Sequence, residues 1–200
     1  GAKLVWLSEN TVVRGCLEND PLVVQAAYDK IYGELKIAPI DSEGGIMPDW
    51  SLHQHGPQLY SGGYGLSFGN DSARFASYAW GTQFQIPAAK LKILESYLLN
   101  GQQWMVRGKF FDYSSIGREI TRVDEFAVPT SWLLGPINPT GAAYGMLNAV
   151  KLLGQCDGVA RAAELSRFAK RMAGDKNVPL VGNRSYWCSD YMAHQRAGFM

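Results

Sequence analysis

The stretch His53-Gln54-His55-Gly56-Pro57-Gln58-Leu59-Tyr60-Ser61-Gly62-Gly63-Tyr64-Gly65 holds two histidines, two tyrosines and four glycines. Glycine and proline at that density exclude a continuous helix or strand, so any fold this chain adopts must break here into a loop. Glycines allow backbone to approach a ligand closely. Histidine and tyrosine are side chains that move protons or donate to a developing anion. The stretch therefore reads as a site loop set between helical segments.

Helical signals lie on both sides of it. Ala2 to Leu17 reads as a helix ending before Glu18-Asn19-Asp20-Pro21, where Asp20 can cap a second helix and Pro21 fits its first position. Val24, Tyr28, Ile31 and Leu35 then recur at helical spacing, and this second helix stops before Pro39. Ile37 to Trp50, with two prolines, Gly44-Gly45 and three acids, reads as the loop that feeds the His/Tyr stretch. A third helix is expected from near Gly62 to about Trp80, with Ala73, Ala76 and Ala79 permitting close helix contact. Pro87 opens a fourth, with Leu91, Leu94 and Leu98 on one face and Asn100-Gly101 closing it. Trp104 to Pro129 carries aromatics and glycines without a long period. Two more helices are expected over Thr140 to Leu153 and Gly158 to Ala173, the latter with Leu165, Phe168 and Met172 inward. Past Asp175 the runs Val178 to Val181, Tyr186 to Cys188 and Tyr191 to His194 read as strands. Residues 1–175 are thus expected to form a helical domain and residues 176–200 the start of a β-rich one.

A net charge of +1 argues against a general nucleic-acid binder, which needs a basic field, so an anionic ligand must be held by local charge. No apolar run approaches the length of a membrane span. Cys16, Cys156 and Cys188 are too irregularly spaced for a metal or redox motif and are expected to be buried or free thiols. The chain starts without Met inside a helical pattern, the expectation for an internal piece of a longer protein.

For chemistry, His55 and Tyr64 stand nine residues apart, and the intervening Gly-Pro and Gly-Gly let the chain fold back so that both can face one cleft. A tyrosine is a poor base at neutral pH unless cations stabilise its phenolate. Arg118 and Arg122 are the candidate cations; on a helix they would share a face, and guanidinium forks suit carboxylates and sulfates. Each residue also has a plainer reading. An isolated histidine is more often structural, a tyrosine among glycines is more often core, and an arginine pair more often pairs with neighbours such as Glu119 or Asp124. Convergence is what favours a site. His53 and His55 could be two zinc ligands, but His194 is remote and no third ligand is near, so no metal is expected. Asp41, Glu43 and Asp49 could supply a hydrolase's paired carboxylates or could sit in a solvated loop.

Taken together, His55-Gly56-Pro57-Gln58-Leu59 with Tyr64, and Gly117-Arg118 with Arg122, resemble the catalytic segments of polysaccharide lyase family 8, the chondroitin AC, hyaluronate and xanthan lyases. Tyr186 to Arg196 is similar to that family's entry into its β-sandwich region. The resemblance implies a mainly α fold, the second half of an incomplete (α/α) toroid followed by the first strands of an antiparallel β-sandwich. It implies β-elimination at a uronic acid of an acidic polysaccharide, with Tyr64 as base and acid, His55 assisting, Arg118 and Arg122 binding the sugar chain, and no cofactor. It further implies a secreted or periplasmic monomer that binds neither nucleic acid nor membrane. One position departs from the family. Where it carries an asparagine that helps neutralise the uronate, this chain has Lys3, a point charge without amide geometry. That departure keeps a non-catalytic glycan-binding toroid as an alternative, with a glycoside hydrolase as a further one.

Overall fold

The computed structural model describes residues 2–108, 110–118 and 143–197. The chain is mainly helical, with a few short antiparallel strands. Helix α1 (Ala2–Leu17) and α2 (Pro21–Gly33) form a hairpin across Asp20, whose carboxylate accepts from Leu22 N at 2.9 Å and Val23 N at 3.3 Å. These bonds satisfy two of the donors that a helix start leaves open, while Pro21 has no N–H to satisfy. The α2 stripe of Val24, Tyr28 and Ile31 is buried as its spacing requires.

After α2 the chain forms a small ribbon, β1 (Gly45–Ile46) antiparallel to β2 (Leu52–His53), then the glycine loop, then α3 (Tyr64–Tyr78). Helix α3 starts two residues after Gly62. It packs against α1 and α5 (Ala143–Gly154), which in turn packs on α6 (Ala162–Met172). The core between them is built from Ile31, Leu35, Phe68, Leu98, Leu165 and Phe168, all nearly inaccessible to water. Burying such side chains is the main favourable term in folding. Among the described residues no helix is long and apolar enough to cross a membrane.

Three local expectations need correction. Helix α4 (Ala88–Ser96) does not run straight to its glycine; it widens into a π turn over Tyr97–Gly101, then a 3-10 turn over Gln102–Met105 that leads into a ribbon of β3 (Val106–Arg107) with β4 (Phe110–Phe111). The turn aims Tyr97 and Gln102 beneath the glycine loop, where both are wholly buried. Helix α6 starts at Ala162 rather than Gly158, because Gly158 has a left-handed φ of 82° and belongs to the preceding turn. No strand forms over Val178 to Val181, where Pro179 lacks a ladder donor and Val181 is exposed. The hairpin is instead β5 (Gly182–Tyr186) with β6 (Tyr191–Gln195), and Trp187 and Cys188 lie in its turn. On β5 the buried Tyr186 points to the core while polar residues alternate outward. Tyr186, Ala193 and Met105 make a small second core that seats the hairpin on the helical body.

Candidate active site

The glycine loop is built from its hydrogen bonds outward. Tyr60 N donates to Leu52 O at 2.8 Å and Leu52 N to the Ser61 hydroxyl at 3.1 Å, so the loop closes back on β2. Between these ties His55 and Gly56 both have left-handed φ, 63° and 91°. Such a conformation costs a non-glycine residue energy and persists only where surroundings over-determine it. Here Gly56 N donates to Glu43 O at 3.0 Å and Gln58 N to Gly56 O at 2.7 Å. The result is a reversal that turns the His55 ring outward into solvent.

The floor comes from the π turn. The Tyr97 hydroxyl donates to Gly65 O at 2.9 Å, and Gln102 Nε2 donates to Ser61 O at 3.0 Å and also to the Tyr97 oxygen. Burial pushes the Tyr97 phenol far above its ordinary value, so it remains a neutral donor. A methyl group at Gly65 would lie 2.6 Å from the Tyr97 oxygen, so this closeness requires glycine.

Above that floor Tyr64, the first residue of α3, is half-buried within a cage of rings. The His55 ring meets it edge-on at 5.2 Å and 75°, and the Tyr60 ring at 5.1 Å and 81°. Trp6 of α1 stacks on it at 6.0 Å and 29°. Arg118 arrives on the chain after a 3-10 turn (Tyr113–Ser115), which is docked by Gly62 N donating to Ser115 O at 2.8 Å. Its Nη2 donates to the Tyr64 hydroxyl at 3.2 Å and its guanidinium carbon sits 5.9 Å from the Tyr64 ring centre. Gly117, at φ 58°, passes so close to the wholly buried Tyr60 that a Cβ there would meet the ring at 2.9 Å. Tyr60 is thus the packing spacer and Tyr64 the accessible phenol. A cationic donor at a phenol oxygen stabilises negative charge developing there.

The sequence-expected residues part company in an informative way. His55, Tyr64 and Arg118 come together, although 54 residues separate the last two. Arg122, Glu119 and Asp124 lie outside the described residues. Lys3 is exposed on the first turn of α1; its neighbour Ala2 lines a cavity of about 540 Å³ that also meets Lys36, Glu43, Gln54 and His55.

His53 also lines that cavity but is held elsewhere. It is buried, its Nε2 lies 2.8 Å from the Ser189 hydroxyl in the β5–β6 turn, and its Nδ1 has no partner among the described residues. Burial pushes its pKa down, with the Asp49 charge opposing. His194 is exposed on β6 and bonds Asn183. Among the described residues no group of three His, Cys, Asp or Glu could hold a metal ion.

Asp49 is also not solvated. It is buried, accepting from Ser51 N at 2.9 Å, the Ser51 hydroxyl at 2.6 Å and Cys188 N at 2.6 Å. Asp41 and Glu43 are exposed in the loop. All three cysteines are free thiols, Cys16 exposed and the other two half-buried. What the sequence concealed is Trp6, which meets Tyr64 from another helix and bonds Asp71, 65 residues away.

Fold and site together define a mainly α-helical protein with a solvent-facing cluster of tyrosine, histidine and arginine under a glycine loop. Comparison gives the particular family: the model for the N-terminal α-helical domain of polysaccharide lyase family 8 matches residues 1–153, and the chain belongs to that family. It is 27% identical over 124 residues to the chondroitinase-AC of Pedobacter heparinus, covering 62% of this chain and 17% of that relative. A solved chondroitinase AC lyase has the same fold, with a TM-score of 0.80 at 22% identity over 98% of this chain and 27% of its own. A xanthan lyase from Paenibacillus superposes with a TM-score of 0.75 at 20% identity, over 98% of this chain and 20% of its own. The chain thus spans under a third of the length of these relatives.

Proposed function

We propose that this chain forms the catalytic helical part of a lyase that cleaves a uronate-containing polysaccharide by β-elimination, with Tyr64 as general base and acid. The observation that carries the reading is the Arg118 guanidinium donating to the Tyr64 hydroxyl while the His55 ring stands edge-on beside it. The relatives named above are lyases of chondroitin and of xanthan, which supports an acidic polysaccharide as the substrate class. In this reading α1 to α6 are the second half of an (α/α) toroid, and the β5–β6 hairpin, within residues 176–200, opens a β-sandwich region.

The chemistry follows from the weak acidity of the C5–H bond beside a uronate carboxylate. Tyr64, with its charge stabilised by Arg118, takes the C5 proton. The released electron pair forms the C4=C5 double bond as the C4–O bond breaks, and the glycosidic oxygen leaves with the proton that the Tyr64 hydroxyl returns. His55 orients Tyr64 and the sugar at C5. Arg118 and Arg122 bind the anionic chain, and Lys3, which by resemblance takes the family's asparagine position, would neutralise the uronate carboxylate as a point charge. No metal enters this sequence of steps.

The test is to incubate the full-length protein with hyaluronan, chondroitin and xanthan and follow the ultraviolet absorbance of unsaturated uronates. A rise that Tyr64→Phe abolishes supports the reading. Binding without a rise on any uronate polymer replaces it with a glycan-binding protein, and new reducing ends without absorbance replace it with a hydrolase. Asp49, with its carboxylate held by three donors, is unsuited to the hydrolase.

A further inference from the structure

Tyr64 and Asp71 lie seven residues apart on α3, close to two full turns, so they share a face about 10 Å apart along the axis. Trp6 of α1 spans that interval. Its indole N–H donates to Asp71 Oδ2 at 2.9 Å, and its ring lies against the Tyr64 ring at 6.0 Å and 29°. Asp71 is itself held: Arg74 Nη2 donates to Oδ1 at 3.1 Å, and Asn70 Nδ2 to the same oxygen at 3.1 Å. Arg74 also donates to Glu9 of α1 at 3.2 Å, one turn beyond Trp6. Two helices are thus tied at two successive turns, and the open end of the tie is the flat face that bounds Tyr64.

A lone tryptophan with 40% of its surface exposed could serve as packing or as a sugar platform. The tether distinguishes it. A buried carboxylate, 7% exposed, costs desolvation, and burial raises the Asp71 pKa although Arg74 pulls it back. Packing alone does not need that expense; fixing the plane of one indole does. With His55 and Tyr60 edge-on and Arg118 at the oxygen, Trp6 supplies the stacked wall that those contacts leave open.

We propose that Trp6, held in plane by Asp71, is a positioning residue that sets the orientation of the Tyr64 phenol for proton transfer. The inference rests on the lyase reading for its kinetic arm but not for its spectroscopic one. In the full-length protein Trp6→Leu keeps apolar bulk and removes the flat face, whereas Trp6→Phe keeps a smaller flat face and loses the N–H that Asp71 holds. Because small misplacements of a reacting group are expensive, Trp6→Leu should lower kcat roughly tenfold or more, with KM within about twofold, while Trp6→Phe, flat but untethered, should fall between Trp6→Leu and wild type. Equal kcat in both variants and wild type overturns the proposal. So does a rise in KM with kcat unchanged, which would make Trp6 a sugar platform.

The second arm follows the carbon-13-labelled Tyr64 ring, assigned by loss of its signal in Tyr64→Phe. In Trp6→Leu the ring signal should shift and its order parameter fall; an unchanged signal and order parameter overturns the proposal. If wild type turns over no uronate polymer, the lyase reading fails while this arm still decides the role of Trp6.

Discussion

His53 and His55 differ by two positions in sequence and end in opposite circumstances. His53 lies on β2, buried, with one ring nitrogen at Ser189 and the other without a partner among the described residues. His55 lies past the end of that strand in a left-handed turn, exposed and edge-on to Tyr64. Strand alternation alone would place both on the same face. The reversal at His55-Gly56 is what separates them, and it shows how one tripeptide can serve two regions. His53 helps anchor the β5–β6 hairpin, together with Asp49, and His55 faces the solvent-side cluster. The anchorage is largely buried and rich in short hydrogen bonds, above all to Asp49, whereas the cluster has ring contacts and a long guanidinium bond. Proton transfer to a ligand needs the second kind of place.

Substitutions in each region should therefore fail differently. The largest effect is expected from Tyr64→Phe, which removes the proton-transferring oxygen and keeps the ring cage; kcat should drop about a thousandfold with polymer affinity nearly unchanged. A variant with near-normal turnover would dissolve the distinction between the two regions. Arg118→Ala should cost roughly a hundredfold in kcat/KM, since it takes the cationic donor from the phenol oxygen and one contact from the polymer. Arg118→Lys should recover part of this, because the charge returns without the fork.

The anchorage should answer in stability instead. Asp49→Ala leaves Ser51 N and Cys188 N without their acceptor and should lower unfolding free energy by about 2 kcal/mol, read by chemical denaturation. Its kcat per folded molecule should hold; a large kcat loss would show that the regions are coupled. A smaller effect concerns pH. His53 has a folded-state pKa below its ordinary value, so folding favours the neutral ring. Its contribution to stability is complete above the unfolded value of about 6.5 and is lost as pH falls below that toward the folded pKa. Melting temperature should therefore decline through mildly acidic pH, and His53→Gln should flatten that part of the profile. An identical slope in both proteins would remove His53 as its source.

Much of the helical layout was legible because its signals act over a few residues. Asp20-Pro21 starts α2 through bonds to residues two and three positions on, and the Val24, Tyr28 and Ile31 stripe needs nothing beyond helix geometry. The pairing of His55 with Tyr64 was legible for a similar reason: glycines between them allow the chain to turn back. The destination of His53 was not, because Ser189 lies 136 residues away, and neither was the burial of Asp49, whose carboxylate meets Cys188 N across 139 residues. The π turn after α4 was hidden as well, since its warrant is the fit of Tyr97 and Gln102 under Gly65 and Ser61.

By itself, then, the sequence determined which segments are helical, where the chain must break, and which loop carries proton-moving side chains, since backbone sterics, capping and periodicity are properties of neighbours. Tertiary structure decided where His53 and Asp49 are held, that Tyr60 is wholly buried beside Tyr64, and that Trp6 bridges Tyr64 to Asp71. Those choices depend on which surfaces are removed from water together, and burial is a property of the packed whole.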